Sequence, residues 1–202
     1  METKCIIALG NPGKEYAATR HNVAQWVFSE LGKHSNLNWE IKQKLFAEIC
    51  FWIPDRVGEK LMLVRPTVYM NESGKTVNNV CAYFSINVNQ IMVIHDELDL
   101  IPGAAKIQLG GGAAGHNGIL DIYRSLGQQN FKRVRIGIGH PGSAKNVSGW
   151  VLSKASATDQ AAIEASTESA INALPLLLDG EDVKAMTALH SESFVTTPSQ
   201  ED

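Results

Sequence analysis

An α/β fold is predicted for this chain, one domain in which helices cover both faces of a twisted β-sheet. Three observations predict it. Short apolar runs bounded by turn residues alternate with segments of helical periodicity. No internal repeat or linker-like stretch divides them. The 202 residues are enough for one full hydrophobic core and too few to expect two.

Cys5 to Leu9 is a fully apolar run closed by Gly10-Asn11-Pro12-Gly13, which predicts a buried strand. Val23, Val27, Phe28 and Leu31 then follow helical spacing, with Gly32 as the expected stop. Strands are predicted near Phe46–Ile53 and Leu61–Val64, with Pro54-Asp55 as the turn between them. Ser73 is the expected cap of a helix carrying Val77, Val80, Cys81 and Phe84. Ile91 to Ile94 predicts another buried strand, broken by the polar run His95-Asp96-Glu97. Lys106 to Leu109 leads as a strand into a glycine-rich loop, and Ile119, Ile122, Tyr123 and Leu126 mark a helix ending at Gly127. Val134 to Ile138 alternates as a strand. The last third predicts a helix from Thr158 to Leu178, kinked or broken by Pro175, and a shorter one from Glu181 to Leu189. The domain is set at residues 1–190, and 191–202 at a flexible tail.

The apolar and charged fractions, 44% and 19%, are ordinary for a globular protein. Three cysteines, Cys5, Cys50 and Cys81, lie in apolar surroundings without paired spacing and read as buried thiols of a reducing compartment. No segment has a signal peptide's pattern or the roughly 20 apolar residues of a membrane span, so a cytoplasmic protein without a membrane partner is expected. The net charge of −3 argues against wholesale coating of nucleic acid and leaves room for a local basic face.

The unusual polar residues share one class of position. Asn11 follows a strand, His21 precedes a helix, Asn71 lies between a strand and a helix, Asp96 follows a strand, and Asn117 opens a helix. Loops after strand carboxyl ends are where α/β sheets build sites. Familiar alternatives fail on particulars. Gly110 to Gly115 fits a dinucleotide fingerprint but lacks the acidic residue roughly 20 positions on. Gly10 to Lys14 has the wrong spacing for a phosphate loop. No two histidines stand at zincin spacing, asparagines outnumber good ligands, and no serine or cysteine sits in a nucleophile motif. No metal is therefore expected. What remains is a histidine general base acting on water, with Asp96 the best candidate to orient it, and amide side chains that can donate to an oxyanion or bind a peptide backbone.

Leu9-Gly10-Asn11-Pro12-Gly13 with Tyr16, Thr19-Arg20-His21-Asn22, Arg65-Pro66 through Tyr69-Met70-Asn71 and Ser73-Gly74, His95 to Asp99, Gly110 to Gly112 with Gly115-His116-Asn117-Gly118, and Arg135 to Gly139 with Pro141-Gly142 form an ordered set. In this order and spacing the chain, from about Lys4 to His190, resembles the bacterial-type peptidyl-tRNA hydrolase family. The resemblance implies hydrolysis of the ester between a peptide and the terminal ribose of tRNA by a monomeric, cofactor-free enzyme with a mixed sheet enclosed by helices. Carried over, His21 activates water with Asp96 orienting it. Asn11 joins them in catalysis, Asn71 and Asn117 bind the peptide-ester end, and Tyr16, Tyr69 and Met70 line the cleft. The C-terminal helices, with Met186 and Leu189, resemble a mobile cover over the cleft. The sequence departs from the family pattern at Ala24, Val68, Ala113, Gln108 and Leu120. The last two often carry basic residues, which leaves Lys106, Arg133 and Arg135, with Lys132 and Lys145, to meet tRNA phosphates. The rival readings are a non-enzymatic RNA-binding relative and a small-molecule esterase.

Overall fold

A computed structural model of the protein describes residues 3–54 and 58–192. Its centre is a seven-stranded mixed sheet in the order β2-β3-β4-β1-β5-β7-β6. The strands are β1 (Cys5–Ala8), β2 (Glu40–Lys42), β3 (Ala47–Trp52), β4 (Leu61–Pro66), β5 (Ile91–Glu97), β6 (Ala105–Leu109) and β7 (Lys132–Gly137). β4, β1, β5 and β7 run parallel, while β2, β3 and β6 are antiparallel to their neighbours. β1 is the central strand because all four of its residues are apolar and completely buried, as a strand covered on both faces requires.

Alternate residues of these strands point to two cores. Ile6, Leu63, Met92 and Val134 pack under α1 (Val23–His34), α5 (Ala157–Leu178) and α6 (Asp182–Glu192). Cys5, Ile7, Val64 and Val93 pack under α2 (Ser73–Phe84) and α3 (Asn117–Leu126). α4 (Val147–Val151) is a short helix on the way to α5. Among the described residues, no helix is long and apolar enough to cross a membrane.

Several elements differ from expectation. Gly32 lies inside α1, which continues through Lys33 and His34 until Ser35 turns extended. Ser73 is not a cap. It is the first residue of α2, and its hydroxyl donates to the Met70 carbonyl. The partner for the open end of α2 comes instead from Asp121 of α3, whose carboxylate accepts the Gly74 N–H at 2.8 Å. β5 does not break at His95 but runs through Glu97, paired to Arg135, Ile136 and Gly137 of β7. Pro175 does not break α5, because it stands in the last turn. β2 and α4 had no counterpart in the sequence reading. The expected tail over 191–202 begins inside α6; its remainder, and Asp55 of the expected turn, lie outside the described residues.

The contact of α2 with α3 fixes the spacing of the loops that precede both helices. It depends on Gly74, where a Cβ would lie 2.4 Å from the Asp121 carbonyl oxygen and 2.2 Å from Ser125 Oγ. Backbone cannot yield as a flexible side chain can. Gly74→Ala is expected to lower stability by about 1–3 kcal/mol through overpacking, seen as a lower urea midpoint at an unchanged m-value; an unaltered midpoint would show that the two helices can separate freely.

Candidate active site

A cleft of about 430 Å³ opens at the carboxyl ends of β1, β4 and β5. β1 lies between the other two, so the chain leaves the sheet here towards both faces, and a crevice forms where loops diverge. Asn11 enters from the end of β1, Tyr69, Met70 and Asn71 from the end of β4, and Asp96, Glu97 and Leu98 from β5. His21 comes from a 3-10 turn, Arg20–Asn22, directly before α1, and Ala114 to Asn117 come from the approach to α3. Val147, Ser148, Val151 and Leu152 of α4 and its end form the facing wall. The cleft thus gathers His21, Asp96, Asn11, Asn71, Asn117, Tyr16, Tyr69 and Met70.

At its floor Asp96, 2% exposed, accepts from two imidazoles. His21 Nδ1 lies 2.9 Å from each carboxylate oxygen, and His116 Nε2 lies 2.8 Å from Oδ1. The His116 tautomer follows from its other side, where Nδ1 accepts the Ile119 N–H at the start of α3. Its proton is therefore on Nε2 and donates to Asp96. The same logic puts a proton on His21 Nδ1 and leaves Nε2 with its lone pair for the cleft. His21, Asp96 and His116 also form the one group of metal-ligating type found among the described residues, with ligand-capable atoms within 4.8 Å of one another. Their nitrogens address the carboxylate oxygens directly at hydrogen-bond distance.

Burial alone would push the Asp96 carboxyl up, but the electrostatic attraction and hydrogen bonds of His21 and His116 overcome it and hold Asp96 far below the usual carboxylate range. Burial lowers His21, and the Asp96 charge and hydrogen bond outweigh that, so its imidazole is raised above its ordinary value. His95, fully buried behind them, is pushed well down by burial and by neighbouring His116; its Nδ1 donates to the Asp96 carbonyl.

Asn11 is held by Asn22, which stands in the turn before α1. The Asn22 side chain accepts the Asn11 N–H and donates to the Asn11 carbonyl, each at 2.9 Å. The Asn11 side-chain oxygen in turn accepts the Met70 N–H at 2.8 Å, which leaves its NH2 group as the donor available to the cleft. Asn71 and Asn117 are exposed on the cleft rim, without side-chain hydrogen bonds among the described residues. Tyr16 and Tyr69 meet edge to face at 6.2 Å.

The turn that carries His21 is fastened from outside. Arg20, 3% exposed, donates to Ser153 Oγ, the Lys154 carbonyl and Asp159, and its guanidinium lies 3.8 Å from the centre of the Trp150 ring. This joins the base-bearing turn to the segment between α4 and α5.

Sequence and fold are shared with known proteins. The family described as peptidyl-tRNA hydrolase matches residues 5–197. The chain belongs to the peptidyl-tRNA hydrolase family. It is 46% identical over 191 residues to the peptidyl-tRNA hydrolase of Shewanella putrefaciens, covering 94% of this chain and 97% of that relative. It is 42% identical over 194 residues to that of Chromohalobacter salexigens. Among solved structures it resembles peptidyl-tRNA hydrolase from Acinetobacter baumannii, with a TM-score of 0.87 at 37% identity over 93% of this chain and 94% of that one.

The basic residues expected to meet tRNA phosphates differ in their surroundings. Arg133 is 1% exposed and donates to the carbonyls of Gly110 and Gly112, so its side chain has no direct path to a phosphate. Arg135 is partly exposed and engaged by Glu97 and Gln108. Lys132 ties the Leu177 carbonyl and Asp182 together, and Lys106 is exposed on the edge strand β6. Met186 and Leu189 do not line the cleft. Leu189 is buried in the core beside α5, and the cover at this end is α4.

Sequence reasoning missed His116 and Asn22 as site residues. The signal for His116 was its position one residue before Asn117 at a helix start, which brings a side chain to the same rim. Asn22 left no separate signal beyond standing next to His21. The site makes a direct prediction. Ring-proton NMR should find His21 titrating above about 6.5, and Asp96→Asn, which removes the charge and leaves the burial, should move it below that value. A titration unmoved by Asp96→Asn would overturn the proposed balance of burial against charge.

Proposed function

We propose that this chain hydrolyses peptidyl-tRNA, cutting the ester between the peptide's C-terminal carbonyl and the ribose at the 3′ end of tRNA. The observation that carries the chemistry is the His21–Asp96–His116 array at the floor of the cleft, with a free His21 Nε2; Ser148, the serine of the facing wall, makes no hydrogen bond to His21. Family membership supports the substrate.

In this reading His21 Nε2 takes a proton from water as the water oxygen attacks the ester carbonyl carbon. The imidazolium that forms is stabilised by Asp96. The carbonyl oxygen becomes an oxyanion, and the Asn11 NH2 group donates to it. Collapse of the tetrahedral intermediate breaks the bond to the ribose oxygen, which receives the proton from His21. The products are a peptide carboxylate and tRNA with a free terminal hydroxyl. No covalent enzyme intermediate forms.

His116 acts through Asp96. By donating to Oδ1 it fixes the carboxylate's rotation towards His21 and shares its charge. Asn71 and Asn117 bind the peptide backbone next to the ester, and Tyr16, Tyr69 and Met70 form the apolar side. Uncharged amides complement an acylated nitrogen and mismatch a free ammonium, which spares aminoacyl-tRNA. An ester activated by its ribose suits a site whose general base contributes about 10²–10⁴-fold. The reading puts the protein in the cytoplasm, acting as a monomer without a metal.

The test is release of N-acetylaminoacyl groups from tRNA. The wild type should be active, and His21→Ala should fall by about 10²–10⁴-fold in kcat. An inactive wild type, or a fully active His21→Ala, would refute the mechanism. Aminoacyl-tRNA with a free amine should be turned over far more slowly; equal rates would remove the role given to the asparagines.

A further inference from the structure

The glycine-rich loop between β6 and α3 has an arrangement that cleavage of the ester does not use. Arg133 rises beneath it from β7, 1% exposed, with Nε and Nη2 donating to the Gly110 carbonyl and Nη2 also to the Gly112 carbonyl. The Tyr123 hydroxyl donates to the Gly111 carbonyl at 2.6 Å. Three successive carbonyls are therefore held by donors from the protein body. In a planar trans peptide each N–H points opposite to the carbonyl before it. The N–H groups of Gly111, Gly112 and Ala113 must then face away from Arg133 and Tyr123.

None of these three N–H groups finds a protein acceptor among the described residues. Gly111 and Gly112 are exposed, while Ala113 is only 7% exposed. The charge beneath them is held by neutral acceptors, the loop carbonyls and His95 Nε2, with Glu97 acting on it only from beyond ion-pair distance. Among the described residues no carboxylate lies within ion-pair distance of Arg133, whose guanidinium burial lowers from its ordinary value. The loop backbone is specific to this shape: at Gly111, with φ +83°, a Cβ would lie 1.8 Å from Gln108 Nε2. A buried cation behind a row of outward amides is a site for an anion.

We infer that Gly111, Gly112 and Ala113 form a phosphate-binding site that takes a backbone phosphodiester of the tRNA, with Arg133 supplying charge from behind the loop. The inference rests on the peptidyl-tRNA reading. Its position fits, because Ala114 and Gly115, the next residues, already line the cleft. Two residues of chain span at most about 7 Å. The loop is therefore near enough to the cleft for a strand with its terminal ribose at His21 to reach it. Backbone amides here do the work that basic side chains at Gln108 and Leu120 would otherwise share.

Gly112 offers a clean test, since a Cβ there meets nothing within 4 Å and its φ is ordinary. Gly112→Glu should fold as the wild type does and set a carboxylate in front of the amides. Dissociation constants for deacylated tRNA are measured for wild type, Gly112→Glu, Arg133→Met and, as a control of equal charge on exposed α2, Ala82→Glu. Gly112→Glu and Arg133→Met are expected to weaken binding about 10–100-fold, the effect of losing a charge-assisted hydrogen-bonded contact, and Ala82→Glu less than about twofold. Equal constants for Gly112→Glu and Ala82→Glu would overturn the site even if Arg133→Met fails to fold. NMR separates the source of the phosphate. The Gly111 to Ala113 amide resonances should shift at lower concentrations of tRNA than of inorganic phosphate, and the reverse order would overturn the RNA assignment. Hydrolysis of N-acetylaminoacyl-tRNA by the wild type is scored independently. A chain that hydrolyses it but binds tRNA alike in every variant keeps the function and loses the loop site.

Discussion

The Asp96 carboxylate is the constraint around which the rest is arranged. A charge 2% exposed at the end of a central strand is costly unless donors surround it. His21 and His116 supply them from opposite sides, one from the turn before α1 and one from the turn before α3. The carboxylate thus joins the two layers of helices across the edge of the sheet. Removing either imidazole would leave part of a buried charge unpaired, so the two histidines belong to the stability of the cleft as well as to its chemistry.

The same principle governs the second buried charge on this side. Arg133 is satisfied by carbonyl oxygens of the glycine loop rather than by a carboxylate. Dipoles complete its hydrogen bonds but leave its charge in place. Asp96 and Arg133 therefore give the two ends of the cleft opposite electrostatic character. The region of the base is negative beneath, and the loop leading to it is positive beneath. A substrate with a reactive ester at one end and phosphates behind it matches that polarity.

Much of this was legible in the sequence, for identifiable reasons. Cys5 to Leu9 and Ile91 to Ile94 are apolar throughout because both faces of those strands are covered. Val23, Val27, Phe28 and Leu31 mark one helix face because only that face meets the sheet. The rule that sites form at strand carboxyl ends brought Asn11, Asn71, Asp96 and Asn117 to one place before any geometry was known. Errors arose where tertiary partners overrode local preference. His95, Asp96 and Glu97 read as the end of a strand because they are polar, yet each is paired inside the fold and the ladder continues. Ser73 looked like a cap, a role taken by Asp121 from 47 residues away. Arg133 read as a surface cation because nothing local reveals that two glycine carbonyls lie above it. β2 and α4 are too short, and too exposed or irregular, to carry a period.

The fastening of Arg20 has a consequence for how the protein fails. The turn bearing His21 is tied to Ser153, Lys154 and Asp159, and the α4 wall enters through the same junction. Base and wall are therefore parts of one cooperative unit rooted in the C-terminal third, while Asp96 belongs to the sheet. A local opening of that third would loosen the base from its carboxylate without unpairing the strands.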